Sequence, residues 1–172
     1  MEGRLRGQRD IESRIGIVLE RVTRGLALAG GVLLVGVLVM TVISVAGRYL
    51  FNAPIPGDYE ITELACGIAV FAFLPYCQLN RANIVVEFFT AHLSGRAKRV
   101  LDTVHSFAFT VVAVLMAWRL AVGGVSKMAD GQTTLYLGIP LYWGYFLAVV
   151  GAATLCLVCA WVFLVQVKAV RR

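Results

Sequence analysis

Two cysteines three apart, Cys156-x-x-Cys159, have the spacing of a thiol–disulfide exchange pair, in which one thiolate attacks and the other resolves. Cys66 and Cys77 are the thiols that would have to relay electrons to such a pair, and His92 and His105 are the residues that could hold a haem between two helices. Arg48, Asp58, Glu60 and Glu63 gather in one short stretch, while Arg119 stands alone in an apolar run. Each set has a physical requirement. Redox exchange needs a thiol at an oxidising aqueous surface, haem needs two histidines at matched depth, and an arginine in hydrocarbon needs a counter-charge or a route to water. The chain has no glycine-rich phosphate loop, no metal-ligand spacing and no nucleophile with a paired base, so the expectation is a protein without enzymatic activity or cofactor.

What positions these residues is a set of four apolar stretches, at 25–46, 61–79, 103–124 and 141–167. A bilayer core is about 30 Å thick and a helix rises about 1.5 Å per residue, so each stretch is long enough, or nearly so, to cross it. Hydrophobic residues make up 59% of the 172 positions and charged residues only 15%, which leaves no segment for a separate soluble core. Depth then weakens the redox and haem readings. Cys156 lies about 22 Å along the fourth stretch, in its inner half, and Cys66 and Cys77 lie inside the second. His92 falls in the cytoplasmic interface region and His105 near the inner end of the third stretch, beside Asp102, with nothing to place the two around one cavity.

The net charge of +6 comes mostly from span ends. Arg4, Arg6, Arg9, Arg14, Arg21 and Arg24 precede the first span; Arg81, Arg96, Lys98 and Arg99 lie between the second and third; Lys168, Arg171 and Arg172 follow the fourth. The opposite side holds Arg48 and Lys127. The positive-inside rule puts both termini and the middle loop in the cytoplasm, and the charge belongs to membrane topology, with no nucleic acid implied. The expected fold is an all-α membrane protein, a bundle of four transmembrane helices. Its domains are a cytoplasmic amphipathic N-terminus at 1–24, a single transmembrane domain at 25–167 and a basic tail at 168–172. In the N-terminus, Ile11, Ile15, Val18, Leu19 and Val22 recur at helical spacing with Asp10 as a candidate cap, which suits a lead-in near the headgroups of membrane lipids. A second amphipathic helix, at about 84–93, is expected in the interface between spans two and three: Ile84, Val85, Phe88, Phe89 and Leu93 share a face opposite Glu87, Thr90 and Ser94.

The first outer turn is the densest part of the chain. Pro54 and Pro56 stiffen it, Tyr49, Phe51 and Tyr59 are interfacial aromatics, and Asp58 can cap the second helix with Glu60 and Glu63 in its first turns. Two readings stand side by side: a rigid anchored turn, or a docking surface or charge pair built from Arg48 and these acids. Arg119, about 24 Å along span three, can snorkel outward, pair with Glu60 or Glu63, or take part in transport. Pro75 removes a backbone bond to Phe71 within span two and is expected to kink it. In span four Gly144, Ala148, Ala152, Cys156 and Ala160 recur four apart, a small-residue stripe that lets helices approach closely in lipid.

Several of these residues together resemble a known family. Arg48-Tyr49-x-Phe51-Asn52-x-Pro54, Glu60 and Glu63 opening the second span, Arg81, Ile84-x-x-Glu87, and Ile139-Pro140-Leu141-Tyr142-Trp143 before the last span resemble the small membrane subunit (Q-type, DctQ-like) of tripartite ATP-independent periplasmic (TRAP) transporters. The chain departs from the family pattern at Gly57-Asp58, where a tryptophan is common, and at Ala82-Asn83, where a Gly-Gly-His-like turn is common. The resemblance implies a scaffold subunit in a bacterial inner membrane. Its partners would be a large membrane transport subunit (M-type) and a periplasmic substrate-binding protein that delivers an organic acid. Uptake would be driven by an ion gradient, usually sodium. In that setting Asp58, Tyr59, Glu60, Pro140, Tyr142 and Trp143 share the outer side and form a candidate docking surface for the binding protein. The alternatives are a four-helix thiol, quinone or haem redox protein, or a self-contained small carrier, which would want an ion-binding acid in mid-span.

Overall fold

The structure, a computed structural model, describes residues 2–80 and 95–170, with side chains for 14–80, 104–165 and 167. Four helices account for nearly all of it: α1 (Glu2–Phe51), α2 (Asp58–Leu79), α3 (Gly95–Ala129) and α4 (Tyr142–Val170). Each contains a segment long and apolar enough to cross a membrane. The helices outrun the apolar stretches because hydropathy measures membrane thickness, whereas a helix continues while its backbone bonds are made. Thus α1 carries on past residue 46 to Phe51, and the expected N-terminal lead-in is continuous with the span. The interfacial helix expected at about 84–93, with Arg81, Glu87 and His92, lies outside the described residues.

The ends of the helices have local causes. Asn52 closes α1 in the left-handed region at φ 53°, a conformation asparagine tolerates better than most residues, and the Ala53 N–H caps the Gly47 carbonyl at 3.1 Å. The N-cap of α2 is Gly57 at φ 77°, not Asp58, which is the first helical residue. Gly57 is required twice over, since a Cβ there would also lie 2.5 Å from the Leu137 side chain.

The helices do not close into a bundle. Among the described residues α1 packs on α2, α2 on α4 and α4 on α3, with only slight contact between α1 and α4. The spatial order is therefore α1–α2–α4–α3. Close approaches fix each register. Gly30 of α1 meets Ala69 and Ala72 of α2; Gly144 and Gly151 of α4 meet Leu64 and Phe71 of α2; Gly123 and Gly124 of α3 meet Tyr145 of α4; and the rings of Phe107 and Phe163 lie 5.8 Å apart. The central pair α2–α4 is parallel, and both outer contacts are antiparallel. On α4 the face that meets α2 and the face that meets α3 lie about a third of a turn apart at about 100° per residue, and the same holds for α2. The row is stepped, with α1 and α3 on opposite sides of the central pair. It repeats one plan twice, an outer helix running to the turn end and an inner helix returning.

The row forms because the small residues are placed on two separate faces of each inner helix. Hydrophobicity supplies no drive between helices in lipid, so backbones settle where they can touch. Gly151 is the tightest such place. A Cβ there would collide with the Phe71 carbonyl, the group whose helical donor is lost at Pro75, so a bare α-carbon faces an acceptor that α2 cannot satisfy itself. Pro75 is fully buried. A core of Ala113, Leu155 and Cys159, with Leu74, Phe109 and Cys156 against it, joins α3 to the central pair.

Candidate functional site

Both turns of the row lie at the same end, and the side-chain hydrogen bonds that join residues distant in sequence concentrate there. Asp58 is the centre of the first turn. One carboxylate oxygen accepts the Ser44 hydroxyl at 2.6 Å, and the Arg48 guanidinium lies 3.7 Å from the same oxygen. The other oxygen accepts the Tyr59 N–H at 2.9 Å, while Ser44 Oγ accepts the Ile55 N–H at 3.2 Å. The chain of bonds thus runs from the Pro54–Pro56 turn through α1 to the start of α2. Asp58 is only 9% exposed and its carboxylate is engaged in holding the turn together, which leaves little of it to the expected docking surface. Ser44 is buried and was not singled out by its sequence, although it sits one helical turn before Arg48 on the same face.

Glu60 does different work. Its two oxygens accept the backbone N–H groups of Tyr136 (2.8 Å) and Leu137 (3.1 Å) in the connection between α3 and α4. That connection is a small hairpin. Thr133 bridges Pro140, the Thr134 N–H donates to the Ile139 carbonyl at 2.9 Å, and the Ile139 N–H donates to Thr134 Oγ1 at 3.0 Å. Leu135 and Tyr136 form its tip, 96% and 81% exposed. Lys127 closes the base through Gln132 at 2.6 Å. Glu60 therefore pins the second turn against the first. Around the pin, Tyr59, Trp143, Tyr49 and Phe51 are exposed, Pro140 and Tyr142 are half-exposed, and the rings of Tyr142 and Trp143 stack at 5.8 Å. Leu135 is the most exposed apolar residue of this end and Tyr136 comes next after Tyr49; the flanking glycines, Gly131 and Gly138, are the sequence signal for the tip, and both adopt positive φ.

The other expected pairings are not made. Arg119 forms no ion pair among the described residues; its guanidinium lies 5.9 Å from the centre of its neighbour Trp118. It cannot reach Glu60 or Glu63, because α4 stands between α2 and α3. Glu63 is exposed on α2 and also has no ion pair among the described residues. The stripe on α4 is used in part: Gly144, Ala148 and Ala152 lie in helix contacts, Cys156 is half-buried, and Ala160 is exposed. Four-residue spacing drifts around the helix, so the contact passes instead to Leu155, Val158, Cys159 and Val162.

Chemistry at the thiols and imidazole has little geometric support. All four cysteines are free; Cys159 is buried in the apolar core, and Cys66 and Cys77 are exposed on α2. His105 has a buried Nε2 without a hydrogen-bond partner among the described residues, its ring 6.1 Å from that of Phe109. Among the described residues no group of histidine, cysteine or carboxylate could hold a metal ion. A shallow groove on α1, lined by Thr41, Val42, Val45, Ala46, Tyr49 and Leu50, has no charged side chain to bind an organic acid.

Over residues 37–169 the chain matches the family model described as tripartite ATP-independent periplasmic transporters, DctQ component. No curated protein and no solved structure matches it.

Proposed function

We propose a function from one premise: the chain belongs to the DctQ family of tripartite ATP-independent periplasmic transporter components. It is a membrane protein and a small permease subunit of such a system. Within that system it acts as a scaffold, bracing the large M-type subunit in a bacterial inner membrane while that subunit takes up an organic acid, driven by an ion gradient, sodium by family precedent. The observation that carries this reading is the stepped row of apolar helices. It offers broad lateral faces and no acid at mid-depth among the described residues, which suits a wall better than a path. The distribution of basic residues supports cytoplasmic termini and, with them, turns on the periplasmic side.

At the turn end the proposed contact for the binding protein is Tyr59, Pro140, Tyr142 and Trp143, extended by Leu135 and Tyr136, with Glu60 holding the hairpin in place. Tagged chain expressed with the large subunit encoded beside it is expected to co-purify as a complex in detergent. Recovery of the chain alone would overturn the scaffold reading. For the docking contact, a double change of Leu135 and Tyr136 to alanine is expected to lower uptake at least about tenfold with the membrane complex intact, since exposed aromatic anchors dominate such interfaces. Unchanged uptake removes the contact.

A further inference from the structure

Arg119 is a feature of the described residues that the scaffold reading leaves unexplained. Its depth follows from the helix registers. The contacts of Gly124 with Tyr145 and of Phe107 with Phe163 put Arg119 level with Val150 of α4. The contacts of Gly144 with Leu64 and Gly151 with Phe71 put Val150 level with Val70 of α2. Val150 is about 12 Å along α4 from Tyr142, and Val70 about 18 Å along α2 from Asp58, at 1.5 Å per residue. Half of a hydrocarbon core is about 15 Å, so Arg119 stands near the midplane.

Snorkelling does not rescue it. Side chains on a helix lean toward that helix's N-terminus, and α3 begins at the end of the row far from the turns. Arg119 therefore leans away from the nearer interface. Its face of α3 is also organised. Ala108, Val112, Leu115, Arg119, Val122 and Ser126 fall at alternating steps of four and three, the a and d positions of a heptad, and all six are exposed in the row. An apolar seam with small residues at both ends and one cation at its centre is complementary to a helix that carries a carboxylate at the same level.

We propose that this seam of α3 docks a transmembrane helix of a different polypeptide, the large subunit, whose aspartate or glutamate pairs with Arg119 at mid-membrane. A second copy of this chain does not fit, because its sequence has no acid at that depth: Glu63, the nearest on α2, lies about 10 Å higher. A lipid phosphate drawn inward is the rival occupant. The proposal rests on the subunit reading and says which face does the joining.

The test uses the full chain co-expressed with the large subunit. A photo-reactive amino acid in place of Leu115 is expected to cross-link to the large subunit; products with lipid alone or with a second copy of this chain overturn the proposal. Arg119→Leu and Arg119→Glu are expected to lower recovery of the complex at least about tenfold, and Arg119→Lys to keep most of it, as for a desolvated charge pair. Each variant is checked for a single peak in detergent gel filtration. A misfolded variant leaves the Leu115 cross-link to decide. Parent chain that never co-purifies with the large subunit sinks the subunit reading itself, whereas parent and Arg119 variants that co-purify equally sink only the seam.

Discussion

Asp58 and Glu60 are two residues apart and hold different things. Asp58 accepts the buried Ser44 hydroxyl, so Asp58→Ala leaves that hydroxyl unsatisfied and is expected to cost about 1–3 kcal/mol, read as a lower melting temperature in detergent. Asp58→Asn keeps an acceptor and should cost less. An equal loss for both would show that the charge near Arg48, and not the hydrogen bond, holds the turn. Glu60→Gln removes one of two matched acceptors, and the amides of Tyr136 and Leu137 are expected to exchange faster with deuterated solvent while those of α2 do not change. The sequence already showed that Arg48, Asp58 and Glu60 share a turn with aromatics and prolines. It did not show their partners, because Ser44 and the Tyr136 amide reach them across a helix pair and a second turn, and local capping rules assign Asp58 to the wrong task. Asn52 is the converse case: a recurring motif residue whose reason, a left-handed helix end, becomes evident only with the backbone.

Among the helices, Gly151 is the position where two of them meet most tightly. Gly151→Ala puts a methyl into the Phe71 carbonyl and is expected to cost at least about 1–3 kcal/mol by overpacking, with loss of the monodisperse peak in detergent gel filtration. Gly67→Ala is the control, since a Cβ there meets nothing within 4 Å, and it should be neutral. The number and approximate extent of the helices were legible from the four apolar runs, as the cost of bare backbone in lipid leaves helix as the natural solution. Their neighbours were not. The four-residue stripe on α4 led to Gly144, Ala148 and Ala152 but stepped past Gly151, whose partner is an acceptor created by a proline on a different helix.

Across the whole molecule, the order α1–α2–α4–α3 makes a direct prediction. With Cys66 and Cys77 replaced by alanine, a cysteine at Ala113 should be bridged to native Cys159 by a short bismaleimide. A pair at Val32 and Val122, exposed and at matched depth on the two outer helices, should not be bridged within one chain. Bridging of the outer pair as well would mean a closed bundle. A sequence with four spans and short turns suggests such a bundle by default, and nothing in its composition announces that each inner helix has contact faces only a third of a turn apart.

The stepped row also has mechanical consequences. Its helices are joined along their lengths, and the Gly144–Leu64 and Gly151–Phe71 contacts act as teeth that oppose sliding of one helix past the next. Rotation is opposed unevenly: the Glu60 pin and the Ala113–Leu155–Cys159 core tie α2, α4 and α3 together, whereas α1 is held to the rest almost wholly through α2. Such a strip behaves like a folding screen with three leaves braced and one hinged: stiff to a load along the helix axes, and free to swing chiefly at α1.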